Sequence, residues 1–303
     1  ERFGAARVHD IGPVMLGPLL LKYGTEEQKA HYLPRILSGQ DIWAQGYSEP
    51  GAGSDLAAVR CEAVRDGDEW VINGQKTWTT LGMDANWIFI LARTDKTVKK
   101  QAGISFLLVP MDAPGVTTRN IENLAGEAEF CEVFFDDVRV PLDHIVGGVN
   151  EGWTAAKALL GHERVFIGAP RLSASALARL AHLAKRNGIW DDPVFRDRYV
   201  ALECDMRDLG DLFQTYMDRL KDGQEIGADV AMLKIFQSEL YQRISELIME
   251  IAGPEAGLSH PPEGDRRLHA AATYLSARPI TIFGGSTEIM RNVLSKAVLG
   301  LPN

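Results

Sequence analysis

The sequence predicts a multidomain α+β fold with N-terminal helices, a middle antiparallel β-barrel-like domain and a C-terminal α-helical bundle. Two observations lead to this prediction. Residues 1–43 and 149–303 place apolar side chains at helical spacing, whereas residues 44–148 contain short β-rich runs separated by turns. The order helix, strand, helix lacks the regular alternation of a doubly wound sheet. We therefore expect separate α and β layers, with domain boundaries after residues 43 and 148.

The first segment carries a helix start signal at Thr25. Gln28 follows three positions later, which is the spacing of a capping box, and the helical pattern ends at Gly39. The chain begins at Glu1 without a methionine or a leader segment, so we expect that the true N-terminus lies upstream. Targeting is therefore left open. The default expectation is the bacterial cytoplasm, with the mitochondrial matrix as the alternative.

The middle segment is expected to form a β meander. Asn73-Gly74 separates two β-rich runs and predicts a hairpin, because a type I′ turn needs positive φ at both central residues. Runs at 87–92, 104–109 and 132–135 extend the predicted sheet. The C-terminal bundle is predicted from four long amphipathic segments. These are residues 155–167, 173–185, 194–220 and 230–252.

Composition and charge exclude several functions. With 46% hydrophobic and 24% charged residues, the chain resembles an ordinary globular protein. Its net charge of -9 opposes binding to nucleic acid. The longest apolar stretch, residues 11–21, is short and interrupted by glycine and proline, so no membrane span is expected. The three cysteines, Cys61, Cys131 and Cys204, form no CxxC pair, so we interpret them as core residues and expect no metal site.

A glycine-rich loop at residues 45–55 reads Gln-Gly-Tyr-Ser-Glu-Pro-Gly-Ala-Gly-Ser-Asp. Glycine removes the Cβ that would keep backbone N–H groups away from a pyrophosphate. A second motif, the tryptophan segment at residues 75–80, reads Gln-Lys-Thr-Trp-Thr-Thr. Strand alternation puts Trp78 and Thr80 on one face, where an isoalloxazine ring would suit them. The alternatives are an ordinary turn and a core tryptophan.

A third motif, Gly284-Gly285-Ser286-Thr287-Glu288-Ile289, reads as a loop that enters a capped helix. Backbone N–H groups at such a helix start attract anionic or polar ligand atoms. The alternative is a plain N-cap without a ligand.

Together with Val138-Arg139-Val140-Pro141, these motifs resemble the acyl-CoA dehydrogenase family in sequence and in order, over essentially the whole chain. The resemblance implies an FAD flavoprotein that oxidises an acyl-CoA thioester and passes electrons to an electron-transfer flavoprotein. It also implies that residues 1–43 are the remainder of an N-terminal helical domain. Such proteins are typically tetramers, so a homotetramer or homodimer is expected.

The resemblance assigns residues to parts of the FAD site. Tyr47 and Ser48 would lie beside the flavin pyrimidine, Gly53 and Ser54 near the pyrophosphate, Trp78 and Thr80 near N5, and Ser286 and Glu288 on the adenine side. Gly253 is also assigned to the FAD site, on a partial match in which the family's Gly-Gly is Ala252-Gly253 in this chain. The family's Arg-x-x-Phe-Gly segment is represented only by a divergent Arg186-Asn187-Gly188, so Arg186 receives no role.

The catalytic base is expected at an unusual position. Many family members carry a glutamate where this chain has Gly284, whereas a smaller group, which includes isovaleryl- and long-chain-type members, uses a glutamate in a Glu-Arg pair. The resemblance therefore implies Glu163 as base and Arg164 on the substrate side, with the Gly284 N–H polarising the thioester oxygen. The alternative is a solvated helix carboxylate.

Two other functions stay open. An acyl-CoA oxidase or flavin monooxygenase on the same fold would react directly with oxygen. A non-catalytic subunit of a heteromeric acyl-CoA dehydrogenase is motivated by Gly284. The acyl group itself is not predicted.

Overall fold

Helices form the first part of the described structure. The computed structural model describes residues 11–224 and 226–302, so the first ten residues of the predicted helical segment lie outside it. Helix α1 spans Gly17–Tyr23 and α2 spans Glu26–Ser38. The predicted capping box is present, because the Gln28 N–H donates to Thr25 Oγ1 at 3.2 Å and the Thr25 N–H donates to Gln28 Oε1 at 3.1 Å. This helix start is confirmed.

The middle of the described chain contains seven strands, which are Trp43–Gly46 (β1), Glu62–Asp66 (β2), Glu69–Thr80 (β3), Trp87–Arg93 (β4), Ile104–Pro110 (β5), Val116–Ile121 (β6) and Phe130–Pro141 (β7). They form one sheet in the order β1-β4-β2-β3-β7-β6, with β5 paired to β4. β1 and β2 pair with β4 in parallel, and the other pairs are antiparallel. A simple meander is therefore wrong, although the curled β domain itself is as predicted.

The predicted hairpin at Asn73-Gly74 is wrong. β3 continues through both residues, because β7 pairs with it on either side, from Glu69 opposite Pro141 to Thr80 opposite Phe130. The irregularity at Asn73 is a bulge. The Asn73 side chain donates to Asp137 Oδ1 and accepts from the Asp137 N–H, both at 2.9 Å. Gly74 has a φ of 144°, and a Cβ there would lie 2.6 Å from Cys61 Cα. The actual turn joins β2 to β3 after Asp66.

The C-terminal part is helical, as predicted. The helices are Gly152–Ile167 (α3), Arg171–Arg186 (α4), Pro193–Lys221 (α5), Ala231–Ala252 (α6), Ala270–Ala277 (α7) and Thr287–Val293 (α8). The four expected helices are thus present as α3 to α6, and α6 supplies many residues to their core, among them Leu233, Leu240 and Ile244.

The chain divides into two compact units, residues 1–162 and 163–303. The boundaries at residues 43 and 148 remain a prediction. Two cysteines are buried, Cys61 and Cys131, but Cys204 is exposed on α5, so its interpretation as a core residue was wrong. In the described ranges, every helix is too short or too polar to cross a membrane.

Candidate functional site

The glycine-rich loop begins where β1 ends. Tyr47 is buried, with its ring edge-on to Phe89 at 5.8 Å and to Phe106 at 6.4 Å between centroids. The N–H groups of Glu49 and Ala52 donate to each other's carbonyl oxygens at 3.0 Å, which closes a tight turn. The loop is therefore anchored at its start and turned sharply at its middle.

The second half of the loop presents its backbone to open space. Gly53 and Ser54 are exposed, and a Cβ built at Gly53 would meet no described atom within 4 Å. A ligand can approach such a backbone closely, since no side chain covers it. This geometry fits the pyrophosphate of FAD.

Trp78 lies on a second bulge of β3. The pairing with β7 shifts register between Lys76 and Thr79, and Trp78 has a φ of 59°, a region that costs a bulky residue about 1–3 kcal/mol. Its side chain is 60% exposed and meets Phe130 edge-on at 6.0 Å. The core-tryptophan alternative is therefore wrong. Thr79 is buried and Thr80 half-buried, so Trp78 and Thr80 are the more accessible residues of this end of β3, which fits contact with a planar ring.

Two charged residues of these motifs, to which sequence reasoning assigned no role, form a buried ion pair. Lys76 Nζ lies 2.7 Å from Glu49 Oε1, and the two residues are 0% and 8% exposed. The signal was available in the sequence, because a lysine on a strand between buried residues needs a partner.

The C-terminal motif forms the predicted capped helix. Ser286 is the N-cap of α8, and its Oγ accepts a hydrogen bond from the Ile289 N–H at 3.3 Å. Glu288 follows in the first turn, where hydrogen bonds from its own N–H and from Ser286 lower the pKa of its carboxyl group. Gly253 ends α6 with a φ of 54°. Adenine contacts by these residues stay a prediction.

Glu163 is buried and faces Gly284. Its exposed fraction is 7%, so a solvated helix carboxylate is excluded. A Cβ built at Gly284 would lie 3.7 Å from Glu163 Oε1 and 2.5 Å from Ile167 Cδ1. Gly284 also has a φ of 64°, which disfavours a side chain. A carboxylate from α3 therefore stands beside the position at which many family members carry theirs.

Arg164, next to Glu163, is partly buried. Desolvation lowers the pKa of its guanidinium group, while the charge of Glu163 acts in the opposite direction. Within the described residues its Nε atom is buried without a hydrogen-bond acceptor. This partly buried environment differs from that of an ordinary surface arginine.

Lys234 on α6 was missed by sequence reasoning. It is fully buried, and no described atom accepts a hydrogen bond from its Nζ. Desolvation lowers its pKa to about 8, although the charges of Glu288 and Glu239 favour the ammonium form. The apolar periodicity of α6 hides this residue, because a lysine at one core position leaves the pattern intact.

Family models match nearly the whole chain. The N-terminal, middle and C-terminal domains of acyl-CoA dehydrogenase match residues 3–40, 44–138 and 150–299. The chain belongs to the acyl-CoA dehydrogenase family. Members are FAD flavoproteins that oxidise CH–CH groups, and tetramers are typical among them. The cofactor and the enzyme class predicted from the motifs are thereby confirmed.

Individual relatives support the same family assignment. Acyl-CoA dehydrogenase IpdE1 of Mycobacterium tuberculosis is 42% identical over 305 residues, which cover 98% of this chain and 76% of the relative. The structure named Tcur3481-Tcur3483 steroid ACAD superposes with a TM-score of 0.90 at 32% identity, and the match covers 97% of this chain and 77% of the chain in that structure. The ChsE4-ChsE5 complex from Mycobacterium tuberculosis has a TM-score of 0.87 at 32% identity, with coverages of 98% and 79%.

Proposed function

We propose that this chain catalyses the α,β-dehydrogenation of an acyl-CoA thioester with FAD as cofactor and Glu163 as base. The observation that supports the proposal most is the buried Glu163 carboxylate beside Gly284. A base is needed because the α C–H of a thioester is a weak acid. A buried carboxylate serves well, since a carboxylate removed from water is a stronger base and a fixed position makes the proton transfer effectively intramolecular.

Three residues of the chain have separate roles in the proposed reaction. Glu163 accepts the α proton. The Gly284 N–H donates no hydrogen bond to the described residues, so it can polarise the thioester oxygen and stabilise the charge that develops there. Arg164 contributes a positive charge on the substrate side. FAD, when bound, supplies the hydride acceptor at its N5 atom.

The residues that the resemblance assigns to FAD come from the glycine-rich loop, the tryptophan segment and the C-terminal motif, together with Gly253. Tyr47 and Ser48 would contact the pyrimidine, Trp78 and Thr80 the ring near N5, and Gly53 and Ser54 the pyrophosphate. Ser286, Glu288 and Gly253 would bind the adenine side. The open backbone at Gly53 and the exposed indole of Trp78 support these roles.

The test is the Glu163→Gln variant of the full chain, with Glu203→Gln on α5, a half-buried carboxylate paired with the exposed Arg207, as the control. We expect both proteins to be yellow. In Glu163→Gln, flavin bleaching by acyl-CoA should slow by about 100-fold or more, because a general base typically contributes that much. Bleaching at the wild-type rate would exclude Glu163 as the base.

The acyl group is best found by a screen of acyl-CoAs of graded length, branching and ring content. Ring-bearing thioesters belong in the screen because a similar structure is named a steroid ACAD. Bleaching rates would rank the substrates.

The electron acceptor is proposed to be an electron-transfer flavoprotein. Slow reoxidation of the reduced flavin by oxygen would agree with this. Rapid reoxidation with peroxide or a hydroxylated product would instead indicate an oxidase or a monooxygenase.

A second candidate is a subunit of a heteromeric enzyme. Arg186, at the position of the family's Arg-x-x-Phe-Gly segment, is engaged with Glu255 and Glu263 of its own chain at 2.7 and 3.0 Å. One similar structure is a complex of two named chains. Turnover by the pure homo-oligomer would exclude this candidate, and activity restored only by a second chain would favour it.

A further inference from the structure

Lys76 joins three separate segments of the β domain. From β3, its Nζ donates to Glu49 Oε1 at 2.7 Å, to the Leu91 carbonyl of β4 at 2.7 Å and to the Tyr47 carbonyl at 3.4 Å. These three acceptors match the three N–H donors of an ammonium group. The burial of this charge is therefore compensated by contacts that all lie on or beside the glycine-rich loop.

The Glu49 carboxylate accepts hydrogen bonds from backbone N–H groups as well as from Lys76. Its Oε1 accepts from the Cys61 N–H at 3.0 Å and its Oε2 from the Arg60 N–H at 2.6 Å, in addition to the bond from Lys76. The carboxylate thus ties the tight turn of the loop to the start of β2. The pair as a whole is neutral and enclosed.

The pair lies where the β-ladder is interrupted. The register between β3 and β7 shifts from Lys76 to Thr79, so the ladder does not fix Thr77 and Trp78 in the usual way. Two contacts substitute for it: the ion pair at Lys76, and a hydrogen bond of 2.9 Å from the Thr77 N–H to the Ser48 carbonyl. Both join the tryptophan segment to the glycine-rich loop.

A buried ion pair contributes little net stability compared with apolar residues of similar size, and its best-attested use is to set registry. We infer that Glu49 and Lys76 are a positioning pair, which holds the glycine-rich loop and the bulged Trp78 at the mutual spacing that FAD binding requires. The inference rests on the proposed assignment of Tyr47, Ser48 and Trp78 to the flavin. Neither member of the pair contacts the cofactor in this view.

The experiment compares Lys76→Met, Glu49→Gln and the double variant in the full chain. Glu49→Gln keeps the volume of the side chain and one acceptor oxygen for the N–H groups of Arg60 and Cys61. The control is Arg139→Met, which removes the cation of an exposed ion pair with Asp66 and Glu69 on the same sheet. FAD affinity is measured by titration of the flavin-free proteins, and the geometry of the bound flavin by its visible circular dichroism.

Each single variant should bind FAD about tenfold or more weakly and change the flavin dichroism, because small misplacements of binding groups have effects of this size. The double variant should be no worse than the worse single variant, since the two residues act as one unit. Arg139→Met should match the wild type. Hydrogen exchange should speed up in residues 47–55 and stay unchanged in β5.

A folded Lys76→Met protein with wild-type FAD affinity and dichroism would overturn the inference. So would global unfolding of both Glu49→Gln and Lys76→Met, since the pair would then support the whole domain rather than the loop. A wild-type protein that binds FAD but oxidises no acyl-CoA would contradict the proposed function alone, because these readouts need no substrate.

Discussion

Glu163 Oε1 lies 3.7 Å from the point at which a Cβ of residue 284 would stand. The two residues are far apart in sequence, but α3 and the loop before α8 bring them together. A side chain at residue 284 would be strained, because Ile167 Cδ1 lies 2.5 Å from the same point and Gly284 has positive φ. The lack of a side chain at residue 284 and the carboxylate of Glu163 thus belong to the same site.

Gly284→Glu is expected to lower the free energy of unfolding by about 1–3 kcal/mol more than Gly188→Glu, through overpacking against Ile167. Gly188 is the matched control, since its φ of 70° imposes the same backbone strain while a Cβ there meets no described atom within 4 Å. Denaturant unfolding measures both. Adding Ile167→Ala should recover part of the loss at residue 284, and equal losses in the two single variants would contradict the steric explanation.

Lys234→Met is expected to stabilise the protein at neutral pH by about 3 kcal/mol, since each unit of pKa shift corresponds to about 1.4 kcal/mol. The folded pKa of Lys234 is about 8, below its ordinary 10.5. The unfolded chain therefore binds more protons between these values, and the stability of the wild type rises with pH there. The advantage of Lys234→Met should be complete below pH 8 and vanish near pH 10.5.

Thermal unfolding of both proteins across this pH range checks the prediction. The exposed Lys157→Met on α3 is the control and should show no such pH dependence. A constant difference between wild type and Lys234→Met at all pH values would rule out the desolvated ammonium group as its cause.

Trp78→Ala should lower the free energy of unfolding of the flavin-free protein by only about 0.5–1.5 kcal/mol, the size of an aromatic pair contact, because the indole is mostly exposed and its ring contact is with Phe130. The same change at the fully buried Trp43 should cost about 3–5 kcal/mol. Among variants that fold, Trp78→Ala should weaken FAD binding more than Trp43→Ala. Urea unfolding and FAD titration test the two halves, and a large loss of stability in Trp78→Ala would indicate a core role.

One thiol per chain should react rapidly with Ellman's reagent at pH 8. Cys204 is exposed, whereas burial raises the pKa of Cys61 to about 11 and also raises the pKa of Cys131. The thiolate is the reactive form, so the buried groups should react only after denaturation. Cys204→Ser should remove the fast reaction, and a fast thiol that persists in this variant would refute the assignment.

Local patterns in the sequence determined much of this protein. The capping box at Thr25, the four long helices and the N-cap at Ser286 involve neighbours within a turn or two, so residue spacing encodes them. The order of the motifs then identified the family and, through it, the flavin.

Only the tertiary structure decided the features that depend on distant partners. Asn73-Gly74 has the sequence of a hairpin turn but becomes a bulge, because β7 offers paired residues on both sides of it. The sequence indicates that Lys76 needs a partner, but only packing identifies that partner as Glu49, 27 residues away. The environment of Glu163 likewise depends on Gly284, more than a hundred residues away. Periodicity reports which face of an element is buried, whereas burial of a particular charge and its partner is set by packing between elements.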